Sequence, residues 1–268
     1  MRLFVPTDLS KESAEVIKYA IKLSKRNKHE LIFFYSYAFA HVADLFSKSE
    51  YKALITKENE LNILRLGKFI TKCFEALDEK TEKFNFKLIV NDGLIISDDI
   101  ITNSKKQKSD LIIAGTHGAS GLEKMVLGTN TAVLIKKSKI PVLSVPINKK
   151  TNFNSRFILA CDKNKLPAEI KWIEKITSEL GLQTHLVHFN YANEKSKVTQ
   201  AKLTEIKANV DLSLIENIEH TALKQKMGGV IMITQQNRSW FERLFLSSKT
   251  SDMSFRNKLP VLSFPAKG

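Results

Sequence analysis

Through the first half of the chain, short unbroken apolar runs alternate with longer stretches in which apolar residues recur every three or four positions. Residues 3–6 form a short apolar strand ending in the turn Thr7-Asp8, after which Ser10 can cap a helix whose inner face carries Ala14, Ile17, Ile21 and Ser24. Residues 31–35 are continuously aromatic or branched, the pattern of a strand buried on both faces. A long helix should follow, with Leu66, Ile70, Cys73, Phe74 and Leu77 on one stripe, and Cys73 on it reads as a small core residue. Residues 86–90 are a third strand closed by Asn91-Asp92-Gly93, residues 94–101 open a helix, and residues 110–114 and 141–145 are two more strands. Such alternation predicts an α/β fold with a parallel sheet covered on both sides.

The pattern then repeats. Lys139-Ile-Pro-Val-Leu-Ser-Val-Pro146 recurs as Lys258-Leu-Pro-Val-Leu-Ser-Phe-Pro265, identical at six of eight positions, and the segment from Arg2 aligns with the segment from Arg156. The offset is 119 residues for the first pair and 154 for the second, so the second copy has lost about 35 residues from its middle. The prediction is two doubly wound parallel-sheet domains in tandem, residues 1–148 and 155–268, the second abridged, joined by the polar stretch 148–154.

With 268 residues, 43% hydrophobic and 26% charged, the chain has the composition of a folded protein. Its formal net charge of +14 divides as +8 over residues 1–150 and +6 over 151–268, so there is no basic tail, and a nucleic-acid partner is not expected. Two distant cysteines, Cys73 and Cys161, exclude a disulfide framework or a zinc ribbon. The first residues lack a signal-peptide core and no apolar run reaches the length of a membrane span, which points to the cytoplasm.

Candidate chemistry concentrates after the fourth strand, in Ala114-Gly-Thr-His-Gly-Ala-Ser-Gly-Leu-Glu-Lys-Met-Val-Leu-Gly-Thr-Asn130. Gly115 and Gly118 permit close approach of a ligand to the backbone, and Gly128-Thr129-Asn130 leads into a helix over 131–137 whose free N–H groups suit phosphate oxygens. On composition alone, a plain glycine-rich connector fits as well. No Walker loop and no Gly-x-Gly-x-x-Gly fingerprint is present. His117 is the single loop histidine, either touching a phosphate or facing solvent, and Asp98-Asp99 and Lys105-Lys106 read as exposed helix surface. His185 and His188 should point to opposite faces of one strand and cannot share a metal. No acid/base pair or nucleophile elbow stands out, so no catalytic residue and no metal site is assigned, and the reading leans away from an enzyme.

The spacing Gly115-x2-Gly118-x9-Gly128-Thr129, the Pro6-Thr7-Asp8 turn, Gly93 and the closing Pro-Val-Leu-Ser-Val strand together resemble the ATP-binding universal stress proteins, over residues 1–147 and more weakly over 155–266. The resemblance implies a Rossmann-like fold of the adenine nucleotide α-hydrolase type. It also implies an adenosine end lined by Pro6, Thr7, Asp8 and the backbone of Ser36, where that family usually has valine. Phosphates would then lie on Ala114, Gly115, His117, Gly118, Gly128, Thr129 and Asn130. For Asp8, a turn or helix-capping role fits the residue nearly as well. The expected ligand is ATP with Mg²⁺, or AMP or ADP, with slow ATP hydrolysis at most.

In the second copy the motif positions become Thr234, Asn237, Ser247 and Ser248, Ala160-Cys161 replaces Pro6-Thr7, and Trp240, Phe241 and Phe245 intervene as expected core or interface packing; only Asp162 survives. One nucleotide per chain is therefore expected, in the first half. The resemblance further implies that the two fifth strands pair in an intramolecular pseudo-dimer, with a homodimer left open. Two functions follow: a nucleotide-dependent stress regulator acting on an unidentified protein partner, or a nucleotide-independent interaction or chaperone-like module.

Overall fold

The computed structural model describes residues 1–38, 47–116, 129–146, 154–161, 168–191, 203–234 and 259–265. The first half runs β1 (Arg2–Thr7), α1 (Lys11–Asn27), β2 (Glu30–Tyr37), α2 (Lys48–Glu75), β3 (Phe86–Asp92), α3 (Ile96–Lys106), β4 (Leu111–Gly115), α4 (Thr129–Lys137) and β5 (Val142–Val145). The second half runs β6 (Arg156–Ala160), α5 (Ile170–Glu179), β7 (Gln183–Asn190), β8 (Leu203–Lys207), α6 (Leu214–Lys224), β9 (Gly229–Ile233) and β10 (Val261–Phe264).

The ten strands of the described residues form one sheet in the order β3-β2-β1-β4-β5-β10-β9-β6-β7-β8. Neighbours are parallel within each half, and the halves meet where β5 and β10 pair antiparallel, Leu143 opposite Leu262. Each strand sends alternate residues to two cores, as a doubly covered sheet requires. Leu3, Val5, Leu31 and Phe33 pack beneath α1 and α2 in a cluster that continues through Leu143, Leu262 and Phe264 to α5. Phe4, Ile32, Phe34 and Ile112 face α3 and α4, and Ile158, Val187 and Val230 face α6, in the cluster on the opposite side. Cys73 lies 2% exposed in the first cluster, as the helical stripe predicts, and burial pushes its thiol up to about 11, so it stays protonated.

Local chemistry explains the helix starts. Ser10 Oγ accepts from Ser13 N at 3.1 Å to cap α1, and Ser47 with Glu50, and Ser213 with Glu216, form reciprocal capping boxes on α2 and α6. At the amino ends of the first three strands, Glu30 bridges Arg2 at 3.0 Å and Lys87 at 2.7 Å.

The missing stretch of the second half can be located. The link from β2 to β3 holds 48 residues (38–85) and includes α2, whereas the link from β7 to β8 holds 12 (191–202), too few for a 28-residue helix. The sequence below it has changed in step. Tyr35 and Val90, which pack against the cluster beneath α2, are replaced at the matching register positions by His188 and Glu205.

Candidate functional site at a topological switch point

Strand order places the site. From β1 the chain steps outward to β2 and β3 on one side and then returns to β4 on the other, so the carboxyl ends of β1 and β4 flank a switch point, where open α/β sheets bind ligands. Pro6, Thr7 and Asp8 leave β1 there, and Ala114 and Gly115 end β4.

Hydrogen bonds shape the β1 exit. Thr7 is buried, its Oγ1 lying 2.8 Å from Ser13 Oγ and accepting from Leu9 N at 3.0 Å. Leu9 adopts φ 60°, the left-handed turn that lets the chain reverse into α1. Asp8 is exposed and its Oδ1 accepts from Ser10 N at 3.0 Å, so it orders the capping residue while lying just past the carboxyl end of β1. The turn role weighed for Asp8 on sequence alone is thus present.

On the β4 side, α4 begins at Thr129, two residues earlier than its apolar pattern suggests, with Asn130 exposed in its first turn. Thr131 is buried and donates from Oγ1 to the Gly115 carbonyl at 2.6 Å, tying the helix start to the strand end. Sequence reasoning missed Thr131; its one signal was a hydroxyl directly after Gly-Thr-Asn. The first turn of α4 carries no acidic residue, unlike those of α1, α2, α3 and α6, and Lys136 and Lys137 occupy its last turn. The helix dipole is left uncancelled at the end facing the site, which suits an anion. His117, Gly118 and Gly128 lie outside the described residues.

Ser36, on β2, falls one position beyond the registered pair Thr7–Tyr35, abreast of Asp8, and its Oγ donates to Asp99 Oδ2 at 2.8 Å. This corrects the reading of Asp99 as exposed surface. Asp98, Lys105 and Lys106 are exposed as expected, but Asp99 is half-buried beside Ser36. A carboxylate next to another on a polar helix carries no sequence signal of such a contact.

At the corresponding switch point between β6 and β9, the Cys161 carbonyl accepts from His188 Nδ1 at 3.3 Å, and Thr234 is bonded through N and Oγ1 to the Phe264 carbonyl at 2.9 and 3.3 Å. Phe264 in turn meets Trp172 edge-on at 5.2 Å. Asp162, Asn237, Trp240, Phe241, Phe245, Ser247 and Ser248 lie outside the described residues. His185 belongs to the strand face of Val187 and Phe189, and His188 to that of Leu186, so the two histidines do point apart. Among the described residues there is no cluster of three metal-ligating side chains, and no helix is long and apolar enough to cross a membrane.

Comparison with known proteins agrees with this fold. Universal stress protein MJ0577 of Methanocaldococcus jannaschii is 30% identical over 160 residues, 54% of this chain and 93% of its own length. Universal stress protein MJ0531 of the same organism is 27% identical over 151 residues, 56% of this chain and 84% of its own. A crystal structure of a universal stress protein from Archaeoglobus fulgidus aligns over 99% of this chain and 96% of its own, with a TM-score of 0.61 and 16% identity, a likeness of fold across both halves. The model of the universal stress protein family matches residues 1–146, more than half of the chain, and with the fold and the switch-point geometry this places the protein in the universal stress protein family.

Proposed function

We propose that the chain is a nucleotide-dependent regulatory protein that binds one adenine nucleotide, ATP with Mg²⁺ in preference to AMP or ADP, in its first half. The observation that carries this reading is the convergence of Pro6-Thr7-Asp8 with Ala114-Gly115 at one switch point, beside a helix start free of acidic residues. Gly115-x2-Gly118-x9-Gly128-Thr129 runs from that strand into that helix. In this reading Asp8 accepts from the ribose, the Ser36 backbone borders the base, and backbone N–H groups with Thr129 and Asn130 hold the phosphates. Mg²⁺ supplies charge neutralisation of the phosphates when bound. The two halves act as separate domains, and the second serves as structural partner, β10 standing where the β5 of a second copy would pair. The strand pairing Val142–Ser263 and Ser144–Val261 supports this pseudo-dimer.

Thermal unfolding with and without Mg²⁺-ATP tests the reading, with Gly118→Val as control. Ligand at a hundredfold its Kd stabilises the fold by about 2.7 kcal/mol. For a protein of this size that is a Tm rise of roughly 5–10 °C. The rise is expected in the natural chain and not in the valine variant. A natural chain that carries no nucleotide and gains nothing from ATP, ADP or AMP contradicts it.

A further inference from the structure

Three residues from three elements meet at the carboxyl ends of β2 and β3. Ser36 donates to Asp99 Oδ2 at 2.8 Å, and Asp99 stands in the first turn of α3. Gly93, just past β3, leaves the room: a Cβ there would lie 1.7 Å from Asp99 Oδ2. The Gly93 N–H donates to the Tyr37 carbonyl at 2.9 Å, which fixes the glycine under the carboxylate.

The second half holds the same place in the fold and fills it differently. The Gly93-to-Tyr37 bond has its counterpart in Ala208 N to the Asn190 carbonyl, also 2.9 Å. Ser36 opposite Asn91 corresponds to Phe189 opposite Ile206, and Asp99 and Asn217 are each the fourth residue of an eleven-residue helix. The trio there is Phe189, Ala208 and Asn217. Phe189 and Ala208 are buried in the apolar cluster. Asn217 pins its own loop, Nδ2 donating to the Asn209 carbonyl at 3.0 Å and Oδ1 accepting from Asn209 N at 2.8 Å. One half thus packs and locks this spot. The other keeps a hydroxyl, a glycine and a half-buried carboxylate whose side-chain partner, among the described residues, is Ser36.

We propose that Asp99, positioned by Ser36 and given space by Gly93, determines which base the nucleotide site accepts. The proposal rests on the nucleotide reading above, in which Ser36 borders the base. A carboxylate only accepts hydrogen bonds and takes up to about four. Facing position 6 of the base, it matches a 6-amino group, which donates, and repels a 6-oxo oxygen, which also accepts. A site built to receive an N–H rejects an analogue lacking it, because its buried acceptor is left unpaired.

Calorimetric titration of the full chain with Mg²⁺-ATP and Mg²⁺-ITP tests this, in the natural protein and in Asp99→Asn and Ser36→Ala, with the Tm of each unliganded variant recorded. The natural chain is expected to favour ATP by about tenfold or more. A side-chain amide both donates and accepts, so Asp99→Asn should bring the ratio to within about threefold. Ser36→Ala should lower it part of the way. A ratio unchanged in Asp99→Asn, with only the Tm lowered, makes Asp99 a structural brace and overturns the proposal. If Asp99→Asn does not fold, an unchanged ratio in Ser36→Ala overturns it equally. ATP binding with an unchanged ratio sinks this inference alone, whereas no binding of either nucleotide by the natural chain sinks the nucleotide reading with it.

Discussion

At the scale of single residues, the fold depends on a few positions where space or charge leaves no alternative. A Cβ on Gly229 would stand 2.3 Å from Phe157 Cε1 and 2.7 Å from the Pro260 carbonyl oxygen, where β6, β9 and β10 run side by side. Gly229→Ala is expected to cost about 2 kcal/mol in urea unfolding by overpacking. An unchanged midpoint would mean that the sheet yields there. His29 and His185 contribute to the response to mild acid. Burial is the larger cause that holds each imidazole below its ordinary 6.5, helped by the Met1 ammonium at His29 and by Arg156 at His185. As pH falls, the unfolded chain takes up these protons before the folded chain does. The stability these two histidines contribute is therefore complete above about pH 7 and is lost as the pH drops through 6.5 and below. The Tm at pH 5.5 is expected below that at pH 7.5, with a smaller difference in His29→Gln; equal differences in the two proteins would remove His29 from the account. Residues that the structure brings to the switch point were legible where glycine or a turn marks the backbone, as at Gly115 and in Pro6-Thr7-Asp8. Asp99 and Thr131 were not, because a carboxylate or hydroxyl in a polar helical stretch looks the same whether it faces water or a strand end.

At the scale of elements, period and burial agree closely in the first half. The stripe Leu66, Ile70, Cys73 and Phe74 marks the face α2 buries, and Phe74 meets Phe33, Phe84 and Phe86 with ring centroids 6.5, 4.9 and 5.7 Å apart. Phe74→Ala is expected to cost about 3–5 kcal/mol, since the surrounding rings cannot close the cavity. A loss under about 1 kcal/mol, measured by urea unfolding, would show that α2 is only loosely docked. The repeat offsets gave the size of the deletion in the second half but not which element went. The reason is physical: with a link from β7 to β8 too short for a helix of α2's length, the positions matching Tyr35 and Val90 carry His188 and Glu205, and the apolar run that announces β3 is absent from β8. The β5 repeat was the easiest element to read, because β5 and β10 are buried on both faces and keep nearly the same residues.

For the whole molecule, the seam between halves is a continuation of the sheet. Leu143 and Val145 share a core with Leu262 and Phe264, and the α1 end adds Arg26 Nη1 donating to the Gly181 carbonyl at 3.4 Å, with Asn27 Nδ2 donating to the Glu179 carbonyl. Residues 1–150 alone would present the β5 edge and its apolar flanks to solvent, an invitation to strand pairing. That fragment is expected to sediment as a dimer or larger species, and a stable monomer would contradict the role given to the second half. The fold class was readable from the alternating pattern, while the pairing of the two repeated strands was expected from the family resemblance and from an apolar strand edge that needs a partner. The central claim is that one half of a duplicated fold holds the nucleotide and the other supports it. Stoichiometry tests this most directly: calorimetric titration of nucleotide-free full-length protein with Mg²⁺-ATP, repeated on Gly118→Val. The expected result is one ATP per chain in the natural protein and none in the variant. Two per chain, or one that survives the valine, would place a nucleotide in the second half and contradict the account.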